Sequence, residues 1–392
     1  MQTRLTPSDC LPVDRDRALL VGRAWLPAES GPSVVCVRGD AVFDLSRTAA
    51  TASALFELDQ VSSLVAAATD AARIGSLEAM LANSAPQARD PALPWFLAPC
   101  DLQAIKASGV TFVSSMLERV IEEQARGDPA RAESVRKAIV GVIGEDLASV
   151  RPGSPDAARL KDVLIAQGAW SQYLEVGIGP DAEIFTKAQP MSAVGLGSEI
   201  GLHPKSEWNN PEPEIVLAVN SRGEAVGATL GNDVNLRDFE GRSALLLGKS
   251  KDNNASCAIG PFVRLFDDAF TLDDVRKCEL AMRVEGTDGF VLEGSSSMTM
   301  ISRDPLDLIG QAIGANHQYP DGFMLFLGTM FAPTQDRRGP GQGFTHVLGD
   351  IVTIATPRLG ALVNRVNRSD RIEPWSFGAR ALAENLARRG LL

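Results

Sequence analysis

A predicted β-hairpin at residues 210–233 is the feature that most constrains the fold of this chain. Residues 215–219 read Ile-Val-Leu-Ala-Val, an apolar and β-branched run that is typical of a buried strand. The Asn-Ser-Arg-Gly sequence at 220–223 is a turn signal, and residues 225–230 predict the returning strand. The segment therefore indicates two antiparallel strands joined by a tight turn.

Acidic residues stand on both arms at the open end of this hairpin. Paired residues of a hairpin have a constant sum of positions, so with the turn near Arg222 we expect Glu212 to lie opposite residues 231–233. Glu212 and Glu214 are two positions apart and point to the same face of a strand. Asp233 can therefore meet both glutamates. The prolines on either side of Glu212 cannot donate ladder hydrogen bonds, so we expect a strand edge or an irregular entry there.

Three carboxylates gathered in this way are a typical site for a hard divalent cation such as Mg²⁺. The alternative is that Glu212, Glu214 and Asp233 are solvated charges at strand ends. The absence of any Lys or Arg between residues 212 and 219, together with the hairpin match of Asp233, favours the metal site. We therefore expect a cation in a concave site, where it would handle an anionic substrate.

The composition is that of an ordinary globular protein and excludes several kinds of partner. The 392 residues, 45% of them hydrophobic, are enough for two or three domains. The net charge of −11 argues against a nucleic-acid partner, since phosphate binding needs a basic surface. No apolar run reaches the roughly 18–20 residues of a membrane helix, and the N-terminus lacks the apolar core of a signal peptide. We therefore expect no membrane partner and a cytoplasmic location.

Cysteine and histidine give no sign of a metal or disulfide framework. The five cysteines are scattered and include no Cys-x-x-Cys, so we expect buried, reduced thiols. His203, His317 and His346 lie far apart in the sequence, which argues against a histidine metal site.

The distribution of strand and helix signals predicts an α+β protein. Residues 1–100 combine strand signals with an Ala-rich helical stretch and are expected to form a smaller N-terminal α/β domain. Residues 101–172 show apolar residues at i, i+3/i+4 spacing from Ile105 onward and are expected to be helical. Residues 173–392 are rich in strands, glycine and proline. We therefore expect the catalytic domain to comprise residues 101–392.

Two glycine-rich segments are similar to nucleotide-binding motifs but have the wrong spacing. The run Gly-Leu-Gly-Ser-Glu-Ile-Gly at 195–201 has one residue too many for a dinucleotide fingerprint. Six residues separate Gly241 from the Gly-Lys-Ser at 248–250, where a P-loop has four. No Gly-x-Ser-x-Gly nucleophile elbow occurs. The carboxylate trio therefore remains the candidate chemical site.

A longer series of motifs extends from the trio through the C-terminal half. Trp-Asn-Asn-Pro-Glu-Pro-Glu at 208–214 leads into Gly-Asn-Asp-Val-Asn-Leu-Arg-Asp at 231–238, and Ile-Gly-Pro-Phe at 259–262, Ser-Met at 297–298, Leu-Gly-Thr at 327–329 and Gly-Asp at 349–350 follow. This order resembles the fumarylacetoacetate hydrolase family over roughly residues 100–392. The phrases at 109–112, 183–187 and 256–261 are most similar to the 2-keto-3-deoxy-sugar-acid dehydratases of that family.

The resemblance implies a mixed β-roll with a helical lid at 101–172, a Mg²⁺ or Mn²⁺ ion, and a homodimer or homotetramer. The metal ligands of the family correspond to Glu212, Glu214 and Asp233. The basic residue beside the metal corresponds to Lys251 or Lys249, and the spacing from the Ile-Gly-Pro sequence favours Lys251. The residues expected to bind substrate are Thr329, Lys187, Arg237 and Ser297, with the alternative that Arg237 only braces Asp233.

The lid segment departs from the pattern of the hydrolases in the family at one position. Those hydrolases carry a catalytic histidine there, followed three residues later by a glutamate, whereas this chain has Ser115 and Glu118. Without the histidine, activation of water for carbon–carbon hydrolysis is not expected. A catalytic role for Glu118 has one alternative, which is that Glu118 lies on the exposed face of an ordinary helix.

The resemblance implies dehydration of a small anionic 2-keto-3-deoxy-pentonate, derived from D-xylonate or D-arabinonate, to α-ketoglutarate semialdehyde. Chelation of a 2-keto acid by the ion would acidify the C3 hydrogens, a base would remove one, and the C4 hydroxyl would leave as water. Lys251 and Glu118 are the candidate bases, and Ser115 is the third residue that is expected to be catalytic. The alternatives are a 2,4-diketo acid hydrolase, an oxaloacetate-type decarboxylase or tautomerase, and a non-catalytic sugar-acid sensor.

Overall fold

Three sheets and the helices around them make up the described part of the chain. The computed structural model describes residues 5–143, 150–166, 168 and 170–392, so residues 144–149, 167 and 169 of the predicted helical lid lie outside the described residues. The strands are β1 Leu20–Leu26, β2 Gly31–Arg38, β3 Ala41–Asp44, β4 Arg73–Ser76, β5 Trp95–Leu97, β6 Ala104–Ser108, β7 Ile184–Ala188, β8 Glu199–Leu202, β9 Asn209–Asn210, β10 Pro213–Val219, β11 Ala225–Asp233, β12 Asn235–Leu236, β13 Cys257–Leu265, β14 Glu279–Glu285, β15 Val291–Ser297, β16 Phe323–Phe326, β17 Ile351–Thr356 and β18 Gly360–Arg368. The helices are α1 Pro7–Cys10, α2 Ala52–Glu57, α3 Val61–Ala67, α4 Leu77–Ala82, α5 Val113–Ala125, α6 Pro129–Ile143, α7 Pro155–Ala166, α8 Gln172–Ile178, α9 Arg237–Glu240, α10 Leu247–Lys251, α11 Leu272–Val275, α12 Pro305–Ala312 and α13 Ala379–Arg388.

The largest sheet contains strands from both the N-terminal and the C-terminal parts of the chain. Its order is β4-β3-β2-β1-β13-β11-β10-β16-β6-β7, and β5 also pairs with β1. β1 joins the two parts, because it pairs with β2 and with β13. A second sheet has the order β15-β14-β17-β18-β8, and β9 pairs with β12. The α+β prediction is confirmed, and the domain boundary at residue 100 stays a prediction.

The predicted hairpin lies in the interior of the largest sheet. β10 and β11 pair so that Glu214 lies opposite Gly231. The Asp233 N–H donates to the Glu212 carbonyl at 3.0 Å, which places these two residues opposite each other just beyond the ladder. Residues 211–212 lie between β9 and β10, so the irregular entry is confirmed. Every residue of β10 is buried, as its β-branched and apolar sequence predicts.

Helices α5 to α8, which we refer to as the lid, have an apolar cluster of their own. Met116, Val120 and Ile121 of α5 pack in this cluster with Leu174 of α8 and with Trp208. These three α5 positions repeat at the spacing of one helix face, which is why the sequence pattern predicts α5.

The helix expected from Ile105 onward begins later than predicted. Residues 104–108 form β6, which pairs with β16 in parallel and with β7 in antiparallel orientation. Ile105 and Ala107 are buried while Lys106 between them is partly exposed, which is the period of a strand. The helical start at Ile105 is therefore wrong, because a short run contains too few positions to separate the two periods.

Two further observations concern the compartment. No helix within the described ranges is long and apolar enough to cross a membrane. All five cysteines are buried and free in the described part of the chain.

Replacement of Gly231 by alanine is expected to lower the free energy of unfolding by about 1–3 kcal/mol. A Cβ atom there would overlap the ring of Phe326 and would lie 2.6 Å from Cγ2 of Val216. Urea-induced unfolding measures the effect. Gly248→Ala is the matched control, because a Cβ at Gly248 meets no atom within 4 Å. Equal stability of the two variants would contradict the close packing at Gly231.

Candidate active site

Glu212, Glu214 and Asp233 come together at the open end of the hairpin. One oxygen atom from each carboxylate lies within 4.8 Å of the other two, and each residue is about 1% exposed. Oxygen atoms bound to one Mg²⁺ at about 2.0–2.1 Å lie at most about 4.2 Å apart, so a small contraction of the trio would hold the ion. Three hard carboxylate donors, buried and convergent, fit a divalent cation.

Two lysines contact the trio from the largest sheet and from α10. Lys251 Nζ lies 2.6 Å from Glu212 Oε2 and 3.1 Å from Asp233 Oδ2. Lys187 Nζ lies 2.9 Å from Asp233 Oδ1 and also donates to two backbone carbonyls. Burial would raise the pKa of Asp233, but the two ammonium groups outweigh it and hold that pKa below its ordinary value. Lys249, the alternative to Lys251, is exposed on α10.

Glu214 is held by the segment after β16. The Gly328 N–H donates to Glu214 Oε2 at 2.7 Å, and the Thr329 hydroxyl donates to Oε1 at 3.2 Å. Gly328 has a φ of +104°, a conformation that disfavours any residue with a Cβ. Burial and the charge of Asp233 raise the pKa of Glu214 to about 8. A bound cation would offset both effects, since it favours the ionised carboxylate.

The lid contributes Arg119, a residue that the sequence analysis did not single out. Its guanidinium contacts the Glu212 carboxylate, donates to Glu122 Oε2 at 2.5 Å and lies 3.6 Å from Glu240 Oε1. Arg119 lies one helical turn after Ser115 on α5, and both residues line the same cavity. Its i+4 spacing from the position of the missing histidine was the signal available in the sequence.

Glu183 is the second residue that the sequence analysis left without a role. It immediately precedes β7 and lines the cavity between the lid and the trio. Burial, and next the charge of Glu240, raise the pKa of Glu183 to about 7. Its carboxylate lies against Gly109, where a Cβ would overlap it. A carboxyl group with this pKa can both accept and donate a proton near neutral pH.

These groups form a buried charged cluster that is not neutral. It contains six carboxylates and four cations, so its formal charge is −2 when all are ionised. Its members are Glu122, Glu183, Glu212, Glu214, Asp233 and Glu240, with Arg119, Lys187, Arg237 and Lys251. Excess charge is costly in a buried environment, and one divalent cation would cancel it.

Two predicted catalytic residues lie on the lid, and only one of them lines the cavity. Ser115 lines the cavity, and its hydroxyl donates to the Phe112 carbonyl at 2.9 Å. Glu118 lies 2.8 Å from the guanidinium of Arg136, on the lid itself, and does not line the cavity among the described residues. The catalytic role assigned to Glu118 stays a prediction.

Two predicted substrate-binding residues lie away from the cavity. Arg237 Nε lies 3.1 Å from Glu122 Oε1 and donates to Asn210 Oδ1 at 2.9 Å, so it braces Glu122. The Ser297 hydroxyl forms a hydrogen bond with that of Thr299 at 2.8 Å, at the end of β15. Among the described residues, the cavity lining includes neither of them, nor Lys187, which pairs with Asp233, and the substrate-binding roles of all three stay predictions.

The cavity has a volume of about 20 Å³. That is room for about one water molecule. A molecule larger than water would therefore need the walls of this cavity, which include α5, to move apart.

Most residues of this site lie in a segment of the chain that is similar to known proteins. The family model described as "Fumarylacetoacetate (FAA) hydrolase C-terminal" matches residues 167–367, just over half of the chain. The chain belongs to the fumarylacetoacetate hydrolase family. The matched range of this family member contains the trio, Lys187, Lys251, Glu183 and Thr329, whereas Ser115 and Arg119 precede it.

Two curated relatives are similar to this family member over half of its length. A probable 2-keto-3-deoxyxylonate dehydratase of Haloferax volcanii is 32% identical over 194 residues, which are 50% of this chain and 63% of that protein. The 2-dehydro-3-deoxy-D-arabinonate dehydratase of Saccharolobus solfataricus is 30% identical over 190 residues, which are 48% of this chain and 60% of that protein. The chain thus spans less than two thirds of the length of either relative.

A solved structure shares the fold across nearly the whole chain. It is a 2-keto-3-deoxy-D-arabinonate dehydratase complexed with magnesium and 2,5-dioxopentanoate. The similarity covers 89% of this chain and 99% of that chain, with a TM-score of 0.58 and 20% identity. The fold is therefore shared over most of the chain.

Replacement of Arg119 by methionine is expected to lower the free energy of unfolding by about 3–5 kcal/mol, because it leaves buried carboxylates without their partner. Arg136→Met is the matched control on the same lid. It removes pairs with Glu118 and Glu133 in which Arg136 itself is 28% exposed, and it should cost less than about 1 kcal/mol. Urea-induced unfolding compares the two. Equal effects would mean that Arg119 does not connect the lid to the trio in solution.

Proposed function

We propose that this protein is a magnesium-dependent dehydratase that converts a 2-keto-3-deoxy-pentonate to α-ketoglutarate semialdehyde. The observation that carries this proposal is the buried trio of Glu212, Glu214 and Asp233, inside a cluster whose formal charge is −2 when all its groups are ionised. The two curated relatives, which are named as dehydratases of such acids, support the substrate class. Ser115 at the lid position of the hydrolase histidine supports water loss over carbon–carbon hydrolysis.

Glu212, Glu214 and Asp233 are the residues that would hold the ion, Mg²⁺ or alternatively Mn²⁺. The ion, when bound, would polarise the C2 carbonyl of the substrate and thereby acidify the C3 hydrogens. Thr329 lines the cavity beside Glu214, and in this proposal its hydroxyl turns away from Glu214 to donate to the substrate carboxylate. Lys187 and Lys251 orient Asp233 and Glu212 from behind.

Glu183 is the residue that we propose as the base. It faces the cavity without a lysine or arginine partner within 4 Å in the described chain, and its raised pKa suits proton exchange near pH 7. Lys251 is less suited, because its ammonium already donates to two carboxylates. In the proposed reaction Glu183 accepts the C3 proton and returns it to the departing C4 hydroxyl, which leaves as water. Transfer of a C5 proton to C3 then gives the C4=C5 enol, and movement of the enol hydroxyl proton to C4 gives the aldehyde.

The lid excludes water during these steps. Arg119 contacts the trio when the lid is closed, and Ser115 lines the same cavity one turn earlier. An opened lid would admit the anionic substrate, and its closure would protect the reactive intermediate from solvent. The small volume of the cavity supports this sequence of opening and closing.

We propose further that the protein works in the cytoplasm as a homodimer or homotetramer. Five buried, free thiols in the described chain support a reducing compartment. The resemblance to the family supports the oligomer, and light scattering coupled to size-exclusion chromatography measures it.

Glu214→Gln and Glu183→Gln are expected to separate metal binding from proton transfer. Glu214→Gln should abolish Mn²⁺ binding, which calorimetry measures, because it removes an anionic ligand. For the same reason it should abolish the Mg²⁺-dependent formation of the aldehyde from 2-keto-3-deoxy-D-xylonate. Glu183→Gln should retain Mn²⁺ binding but lower kcat by about 10²–10⁴-fold. Full activity of Glu214→Gln would remove the metal proposal, and full activity of Glu183→Gln would remove the proposed base.

The value of kcat/KM is expected to rise with pH through a midpoint at or below about pH 7 and to level off above that midpoint. Burial and the charge of Glu240 raise the pKa of Glu183 to about 7. Below that pH Glu183 is mostly protonated, and the protonated form cannot accept the C3 proton. A bound cation favours the carboxylate, so it moves the midpoint of this acidic limb downward. A pH–rate profile at saturating Mg²⁺ measures this midpoint. A midpoint well above 7 would assign the limb to a different group.

A further inference from the structure

A second concavity lies outside the lid, away from the catalytic cavity. Its volume is about 550 Å³, and it is bounded by the turn between α5 and α6, the loop after β8 and the segment from α9 to α10. Its lining residues are Gly127, His203, Lys205, Asp238, Phe239, Arg242, Leu246 and Lys249. It includes the segment that is similar to a P-loop but has the wrong spacing.

Three cations of this concavity have no anionic partner. Lys205, Arg242 and Lys249 are exposed, and none forms an ion pair with a carboxylate of residues that the structure describes. The one acidic residue in the lining, Asp238, does not balance them. Its two carboxylate oxygens accept hydrogen bonds from the Ser206 hydroxyl and the Glu207 N–H, each at 2.8 Å.

The concavity is therefore a positive region on a protein whose net charge is −11. The positive charge acts on His203, whose pKa is lowered by partial burial and then by the charges of Lys249 and Lys205. Three like charges around one concavity repel each other, and a bound anion would relieve this repulsion.

The floor of the concavity is aromatic and holds one cation in place. The Phe239 ring is buried, with its centroid 5.1 Å from that of the His203 ring. The Arg242 guanidinium lies 4.7 Å from the centroid of the same ring. A guanidinium held against an aromatic face loses less conformational freedom when it binds an anion.

We propose that this concavity binds a small dianion, which is either a phosphate group or a dicarboxylate. Arg242 would supply paired donors to two oxygens of one anionic group, and Lys205 and Lys249 would supply the balancing charge. The three cations and Asp238 give the lining a formal charge of +2, which a dianion would cancel and a monoanion would not. The site does not depend on the proposed dehydratase activity, because none of these three cations lies in the catalytic cavity.

The position of the concavity connects such a ligand to the lid. Gly127 lies in the turn that follows α5 and has a φ of +70°, and a Cβ there would lie 2.8 Å from the Asp238 carbonyl oxygen. The lid therefore packs directly on α9, which forms one wall of the concavity. A dianion bound there would stiffen the base of the lid.

Calorimetric titration of the full chain at low ionic strength tests the proposal, with inorganic phosphate, succinate and acetate as probes. We expect phosphate, succinate or both to bind at least about tenfold more tightly than acetate, and added salt to weaken the binding. Binding of phosphate alone identifies a phosphate site, binding of succinate alone identifies a dicarboxylate site, and binding of both identifies recognition by charge. Arg242→Ala and, independently, Lys205→Ala should weaken the binding about tenfold, whereas the exposed Lys277→Ala should not change it.

Several outcomes would overturn the proposal. These are the absence of binding by either dianion, equal binding of acetate, and equal weakening by Lys277→Ala. If the wild-type protein binds neither dianion and Arg242→Glu lowers its oligomeric mass, the surface is an interface between copies of the chain instead. None of these results bears on the dehydratase assay, which uses a different cavity.

Discussion

The two oxygens of Glu212 are the point at which the lid and the body of the protein meet. One oxygen contacts Lys251, which is anchored in α10, and the other contacts Arg119, which is anchored in α5. Burial of Lys251, of Arg119 or of Glu212 without an oppositely charged partner would be very costly. The charge on each of these residues therefore holds the elements of the other two in place. The closed form of the lid, the shape of the cavity and the spacing of the trio all depend on this shared contact.

Charge explains why the trio can be assembled in this protein. Three carboxylates within a few ångströms repel each other, and burial favours their neutral forms, as the raised pKa of Glu214 shows. The lysines and arginines of the cluster offset most of this repulsion but not all of it. The formal charge of −2 that remains when all groups are ionised gives a divalent cation a favourable place without any histidine or cysteine ligand.

The hairpin and its carboxylates were predictable because they depend on local rules. A turn signal, a β-branched run and the two-residue period fix which side chains meet, and the observed pairing of Glu214 with Gly231 agrees with the predicted register. The roles of the lid residues, in contrast, could not be predicted from local rules. Arg119 and Glu118 are both charged residues on one helix, and only the rotation of α5 against the body decides that Arg119 faces the trio while Glu118 faces Arg136. Glu183 could not be assigned either, because its pKa depends on burial and on Glu240, which is distant in sequence.

The contact between Arg119 and Glu212 has a consequence for the speed of the proposed reaction. The space between α5 and the trio, about 20 Å³, is far smaller than a sugar acid. In the proposed cycle the Arg119 contacts would therefore break to admit the acid, form again around it and break once more to release the product. The pairs that would exclude water from the reaction would thus also slow the release of product, so one contact of the lid would set both the protection of the intermediate and the turnover rate.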